Sequence, residues 1–228
     1  MPTATPTREP GTRGVRLVFV LLALTVLSGM IDAVSYLGLG HVFTANMTGN
    51  VVVLGFAAAG APGFSVPHSA ASLAAFLLGA ATGGRVAARF GGGSRRRWMR
   101  ATLTAEAVLV AAAAVVALTR TGGTATTYTL IGLTAFAMGL RNANVRKLGV
   151  PDLTATTVLT TTLTGLVAES HLGDATRPRS PRRVAAVLAL IAGAVLGAWL
   201  VLHHGLGVPL LAAAAVSGVL AVVTSGRE

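Results

Sequence analysis

Apolar residues recur along this chain in runs too long for the face of a soluble helix. Six clear runs cover about 17–37, 69–88, 101–118, 128–145, 184–202 and 208–223. Each approaches the ~20 residues that carry an α-helix across the ~30 Å hydrocarbon core of a bilayer. Two shorter segments, about 44–60 and 156–169, break the pattern, because Thr, Asn and Gly punctuate their apolar positions. The first is "GHVFTANMTGNVVVLG", where Thr44, Asn46, Thr48 and Asn50 alternate with small or apolar residues. The second, "TTTLTGLV", is a weaker copy.

Composition narrows the class. Of 228 residues, 53% are hydrophobic and 11% charged, with a mean hydropathy of +0.73. A soluble domain carries roughly 25% charged residues, so the chain lacks the polar surface to face water all round. The absence of Cys removes disulfides, thiolate catalysis and Cys-ligated metals together. The opening "MPTATPTREPGTRGVR" is expected to be a basic tail over residues 1–14, not a signal peptide. The apolar run after it continues for about 20 residues without an A-x-A cleavage site.

The net charge of +11 does not indicate nucleic acid, because the arginines fall in short linkers, where the positive-inside rule expects them. Basic clusters lie at Arg8, Arg13 and Arg16; at Arg85, Arg89, 95–97 and Arg100; at Arg141, Arg146 and Lys147; and at Arg177, Arg179, Arg182 and Arg183. If all eight segments cross, adjacent strong clusters fall on opposite sides. If the two Thr-rich segments enter and return, every cluster is cytoplasmic, and the external linkers hold one arginine. The second arrangement is expected: an all-α integral membrane protein with about six transmembrane helices and two short broken or re-entrant helices. Both termini then face the cytoplasm of a bacterial plasma membrane, and residues 15–228 form one transmembrane domain.

Its halves, about 15–120 and 124–224, resemble each other. "GMIDA" (29–33) matches "GLRNA" (139–143) at an offset of 110; "TANMTGNV" matches "TTTLTGLV" at 116; "GAATG" (79–83) matches "GAVLG" (193–197) at 114. Three spans and one returning segment per half insert the second copy upside down, the inverted repeat of many secondary transporters.

Candidate chemistry follows from that layout. Asn and Thr cap a helix by accepting from its first free amides. Asn46, Thr48, Gly49 and Asn50 would start a half-helix at 51–59, with Gly49 giving room to turn or to approach another group closely. Thr160, Thr161 and 162, with Thr164 and Gly165, would do the same from the opposite face, so that two positive helix ends line an anion-friendly or dipole-lined site. The alternative is a plain cap on a helix that begins at the membrane surface. Asp32 lies in the outer third of the first span, where it marks a proton or cation path or hydrates itself at the interface. Its repeat mate is the neutral Asn142. Thr44, on the approach to the first segment, completes the expected lining.

Other polar groups read more plainly. Glu106 snorkels to the interface or pairs with Arg100. Asn142 and Asn144, with Arg141 and Arg146, form an inner gate or hold the protein to anionic lipid. Asp152 caps the second segment; Glu169 and His171 mark its return. His203 and His204 point about 100° apart on one helix, so no metal is expected. Gly79/Gly83 and Gly193/Gly197 are packing signals, with each pair against the other as the first choice and a homodimer as the second. No catalytic pattern is present: no H-E-x-x-H, G-x-S-x-G or Walker loop. Neither enzyme activity nor a cofactor is expected.

The block D-A-x-S-Y-L…G-x-V-F-x-A-N-M-T-G-N resembles the first signature of the YoaK-like bacterial membrane proteins, a family of unknown function. "GLRNANVRKLGVPDLTATTVLTTTLTGL" is similar to the second, with Thr160-Thr161 where the family often shows Thr-Gly. This departure allows a repeat register of 112 and leaves the second segment without that glycine. The resemblance covers nearly the whole chain from the first span onward and implies a multi-pass membrane protein, but no substrate. Two functions remain: a secondary transporter or channel-like permease for a small solute or ion, with Asp32 as coupling residue, or a non-transporting scaffold, lipid-binding or regulatory protein.

Overall fold

A computed structural model describes residues 11–90, 95–120, 122–148, 159–168 and 181–224. These form eight α-helices in chain order: α1 Gly11–Gly38, α2 Met47–Ala58, α3 Val66–Phe90, α4 Arg95–Thr119, α5 Thr124–Leu148, α6 Leu159–Ala168, α7 Pro181–His204 and α8 Gly207–Val223. The all-helical expectation therefore holds. Four helices are long and apolar enough to cross a membrane, over Val18–Gly38, Val66–Arg89, Arg97–Thr119 and Pro181–His204.

The other two expected spans differ for a physical reason. α5 has ample length at 25 residues, but its last turns carry Arg141, Asn142, Asn144, Arg146 and Lys147, which lower its hydropathy. Its earlier turns are covered by α3 and α4, with Ile131, Ala135, Ala137 and Met138 fully buried; of the polar residues that follow, Arg141 and Asn144 are buried too, whereas Arg146 and Lys147 at its end are exposed. A helix covered by protein does not need a uniformly apolar surface. α8 is apolar but has 17 residues. The 12 residues of α2 and the 10 of α6 rise only about 18 and 15 Å at ~1.5 Å per residue, too short to cross alone.

α1 and α5 form the buried centre. α1 packs along α7, α3 along α5, and α4 along α8 and α5. Glycines set the two closest crossings. A methyl group on Gly29 of α1 would collide with the carbonyl oxygen of Leu190 on α7; one on Gly193 would strike that of Val26, and one on Gly197 would lie 2.7 Å from the Met30 Cα. Similarly, a methyl on Gly139 of α5 would strike the carbonyl of Phe76, and one on Gly79 that of Phe136 on the opposing helix. Such contacts let backbones approach where lipid supplies no hydrophobic drive. This corrects the expectation that Gly79/Gly83 pair with Gly193/Gly197. Each pair faces a different helix of the same chain, and all four glycines are buried there.

Candidate functional site

The chain leaves α1 through a tight turn at Gly40 (φ 85°) and His41 (φ 57°), then runs back over the helix end. That return carries Thr44, Ala45 and Asn46 across Asp32. Asp32 Oδ1 accepts from the backbone N–H groups of Thr44 (3.1 Å), Ala45 (2.8 Å) and Asn46 (3.3 Å). A carboxylate facing successive amides just before a helix also meets the positive end of that helix's dipole. Asn46 is the N-cap, and its side chain accepts from Gly49 N–H at 3.5 Å.

These contacts correct two expectations. α2 starts at Met47, so Thr48, Gly49 and Asn50 lie in its first turn and do not precede a helix at 51–59. Asp32 takes the amides of Thr44, Ala45 and the N-cap residue Asn46, and the Asn46 side chain takes that of Gly49. Gly49 does not make a turn. It makes room for Phe43, whose ring atoms would lie 2.7 Å from an added Cβ.

Asn50 is fully buried and grips the Phe43 peptide from both sides. Its Oδ1 accepts from Phe43 N–H at 2.8 Å, while its Nδ2 donates to the Phe43 carbonyl and to Ser72 Oγ on α3 at 3.0 Å. Ser72 Oγ donates to the same carbonyl at 2.6 Å. Asn50 and the fully buried Thr44 thus hold the wall and do not line an open site.

Behind that wall lies a cavity of ≈ 710 Å³. Asp32 lines it with Ser28 and Tyr36 of α1, Asn46, and Thr48 and Gly49 of α2. The second half contributes Asn142 from α5 and Thr160 from α6. Phe43, Leu37, Val52, Leu190, Ala194 and Ala198 supply apolar surface. Tyr36 and Phe43 stack with ring centroids 4.9 Å apart. Asp32 Oδ2 has no hydrogen-bond partner among the described residues, and Asp32 is the one carboxylate among those lining the space, where no basic side chain joins it.

Of the remaining expected residues, Asn142 donates from Nδ2 to the Met138 carbonyl at 2.9 Å. Thr161, Thr164 and Gly165 lie within α6 and not ahead of it, and Thr164 is exposed. Asp152, Glu169 and His171 fall outside the described residues, as does the segment leading into α6. Among the described residues no cluster of three or more His, Cys, Asp or Glu could hold a metal ion.

Sequence reasoning missed two features. Ser28, Asp32 and Tyr36 repeat every four residues, so they share one helix face. That spacing was a usable signal. The other is a buried ion pair: Arg141 Nη1 lies 3.2 Å from Glu106 Oε1, with side chains 3% and 0% exposed. Ser217 Oγ donates to the same oxygen at 2.9 Å, and Arg141 Nη2 donates to Ser28 Oγ at 2.8 Å. Glu106 therefore neither snorkels nor pairs with Arg100, and Arg141 reaches inward, away from any lipid headgroup.

Comparison with known proteins agrees with this architecture at the level of family. Residues 20–223 match the family model described as "Protein of unknown function (DUF1275)". The chain is 34% identical over 152 residues to the UPF0700 transmembrane protein YoaK of Bacillus subtilis (strain 168); the match spans 65% of this chain and 64% of that relative's length. No solved structure matches.

Proposed function

We propose that this chain, which belongs to the DUF1275 family of proteins of unknown function, is a secondary transporter or channel-like permease for a small solute in the bacterial plasma membrane. One observation carries the reading. Polar side chains from both halves, Asp32, Asn46 and Thr48 with Asn142 and Thr160, converge on a single cavity of ≈ 710 Å³. A pocket of that size suits a small organic ligand, since such sites span ~300–1,000 Å³.

The proposed layout is six spans, with α2 and α6 entering and returning, and both termini cytoplasmic. The glycine crossings support an inverted repeat. Gly29 matches Gly139, and Gly79 and Gly83 match Gly193 and Gly197; the α1–α7 and α3–α5 crossings pair equivalent positions in opposite roles. Transporters built from inverted repeats bind their substrates near the midplane, beside short or broken helices. Topology tags at 61–67 and at 95–97 should therefore report opposite sides; the same side removes the inverted repeat.

Uptake or proton flux in proteoliposomes tests the function. Wild-type protein should move a solute from a broad panel above the protein-free background, and flux at background throughout overturns the reading. Asp32→Asn should uncouple transport from the ion gradient while the protein stays folded. The scaffold reading draws on a different observation, that Asp32 Oδ1 and Asn50 serve as internal caps. It is favoured if the cavity carries no flux.

A further inference from the structure

We infer that the cavity binds an organic monocation, a protonated amine or quaternary ammonium with a compact apolar body, held by Asp32 Oδ2. This identifies a substrate class for the transport reading and rests on it for the word substrate, although the binding itself does not.

Charge comes first. Among the described lining residues Asp32 is the only carboxylate, and none is Lys, Arg or His. Its two oxygens are divided. Oδ1 is engaged by three backbone amides, which fix the carboxyl plane and stabilise its charge, whereas Oδ2 is without a partner among the described residues. Among the described residues, Arg141 reaches the wall by donating to Ser28 and is paired with Glu106. An anion entering the cavity would meet Asp32 with no compensating cation among the described lining residues. At the α2 end the expected anion-friendly site already has the Asp32 carboxylate beside it, which disfavours a second negative charge there.

Size and ligand set separate organic from inorganic cations. Hard ions need about six to eight oxygens closing to ~2.3–2.6 Å. The described lining offers one free carboxylate oxygen; its other side-chain oxygens, on Ser28, Tyr36, Asn46, Thr48, Asn142 and Thr160, are neutral, and the space of ≈ 710 Å³ is far larger than a single-ion cage. Much of the remaining wall is apolar or aromatic. Tyr36 and Phe43 are stacked and both line the cavity, and Gly49 leaves the Phe43 ring its seat. Aromatic faces beside a lone carboxylate attract an ammonium group through the ring quadrupole. Val52 and Leu190 would cover the body, and Asn142 and Thr160 would accept or donate at its polar edge.

Equilibrium binding tests this without any need for flux. Purified full-length protein in nanodiscs of zwitterionic lipid is titrated by calorimetry with phenethylammonium and tetramethylammonium, and with phenylpropionate and phenylpropionamide as size-matched controls. The ammonium probes should bind at least about tenfold more tightly than the acid or the amide. Asp32→Asn, which keeps an oxygen to accept from Ala45 N–H, should weaken them about tenfold or more. Val52→Trp, which fills the cavity without touching the Asp32 hydrogen bonds, should weaken phenethylammonium most. Equal binding of the controls, absence of ammonium binding to folded wild type, or unchanged affinity in both variants overturns the proposal. Ammonium binding without uptake of any solute would instead sink the transport reading alone. Uptake of anions or neutral solutes without ammonium binding would sink this inference and leave transport standing.

Discussion

Arg141 on α5 and Glu106 on α4 face each other at 3.2 Å, and neither side chain reaches solvent. Ser217 of α8 and Ser28 of α1 each bond one partner, so four helices meet at one charge pair. Removing one member leaves an uncompensated buried charge, which costs about 3–5 kcal/mol. Arg141→Met and Glu106→Leu should each lower the unfolding midpoint strongly. The double variant should lose less than either single one, because an apolar pair of similar volume is often neutral. Unfolding in detergent, run as a double-mutant cycle, measures this; additive losses would mean that the pair does not hold the bundle.

The glycine crossings predict position-specific sensitivity within one helix. Gly139→Ala drives a methyl group into the Phe76 carbonyl, which moves α3 away from α5. Overpacking of this kind costs about 1–3 kcal/mol. Gly132→Ala, on the same helix, meets nothing within 4 Å and should be neutral or stabilising by up to about 1 kcal/mol. Gly29→Ala should behave like Gly139→Ala. Thermal unfolding of the three variants side by side provides the check.

Asn50 makes a different forecast. Asn50→Leu fits the space but leaves the Phe43 N–H without its acceptor and removes one donor to the Phe43 carbonyl, at about 1–3 kcal/mol for a stranded buried group. Asn50→Asp keeps the acceptor and places a second carboxylate near Asp32, and should be worse. A stability loss in both, with the leucine variant the milder, is the expected order.

The chain has no native Cys, so single substitutions report on the cavity directly. Thr48→Cys and Asn46→Cys, at exposed cavity-lining positions, should react with water-soluble maleimides in native membranes. Thr44→Cys, at a position 0% exposed, should stay protected until denaturation. Reaction at all three, or at none, contradicts the wall described above.

Much of this architecture is legible in the sequence. Every long apolar run is a helix, and the two Thr-rich segments are the two short ones. Asp32, Asn46, Thr48, Asn142 and Thr160 share one cavity although 128 positions separate the first from the last. Less legible was the duty of each polar group. Thr44 and Asn50 look like Asn46 and Thr48 in the string, yet the turn at Gly40 and His41 points one pair into the protein and the other toward open space. Glu106 and Arg141 are 35 residues apart on helices whose facing sides depend on how α3 and α8 pack around them.

The sequence by itself determined the solvent and the elements, because the hydropathy of a run and its length set whether a segment is stable in hydrocarbon. It also determined where charges concentrate. The tertiary structure alone decided which glycines cross which helices and which hydrogen bonds close the start of α2. It also decided that one oxygen of Asp32 is occupied while the other faces the cavity. Those outcomes depend on the approach of distant backbones to within a few ångströms, and local residue preferences carry no information at that range.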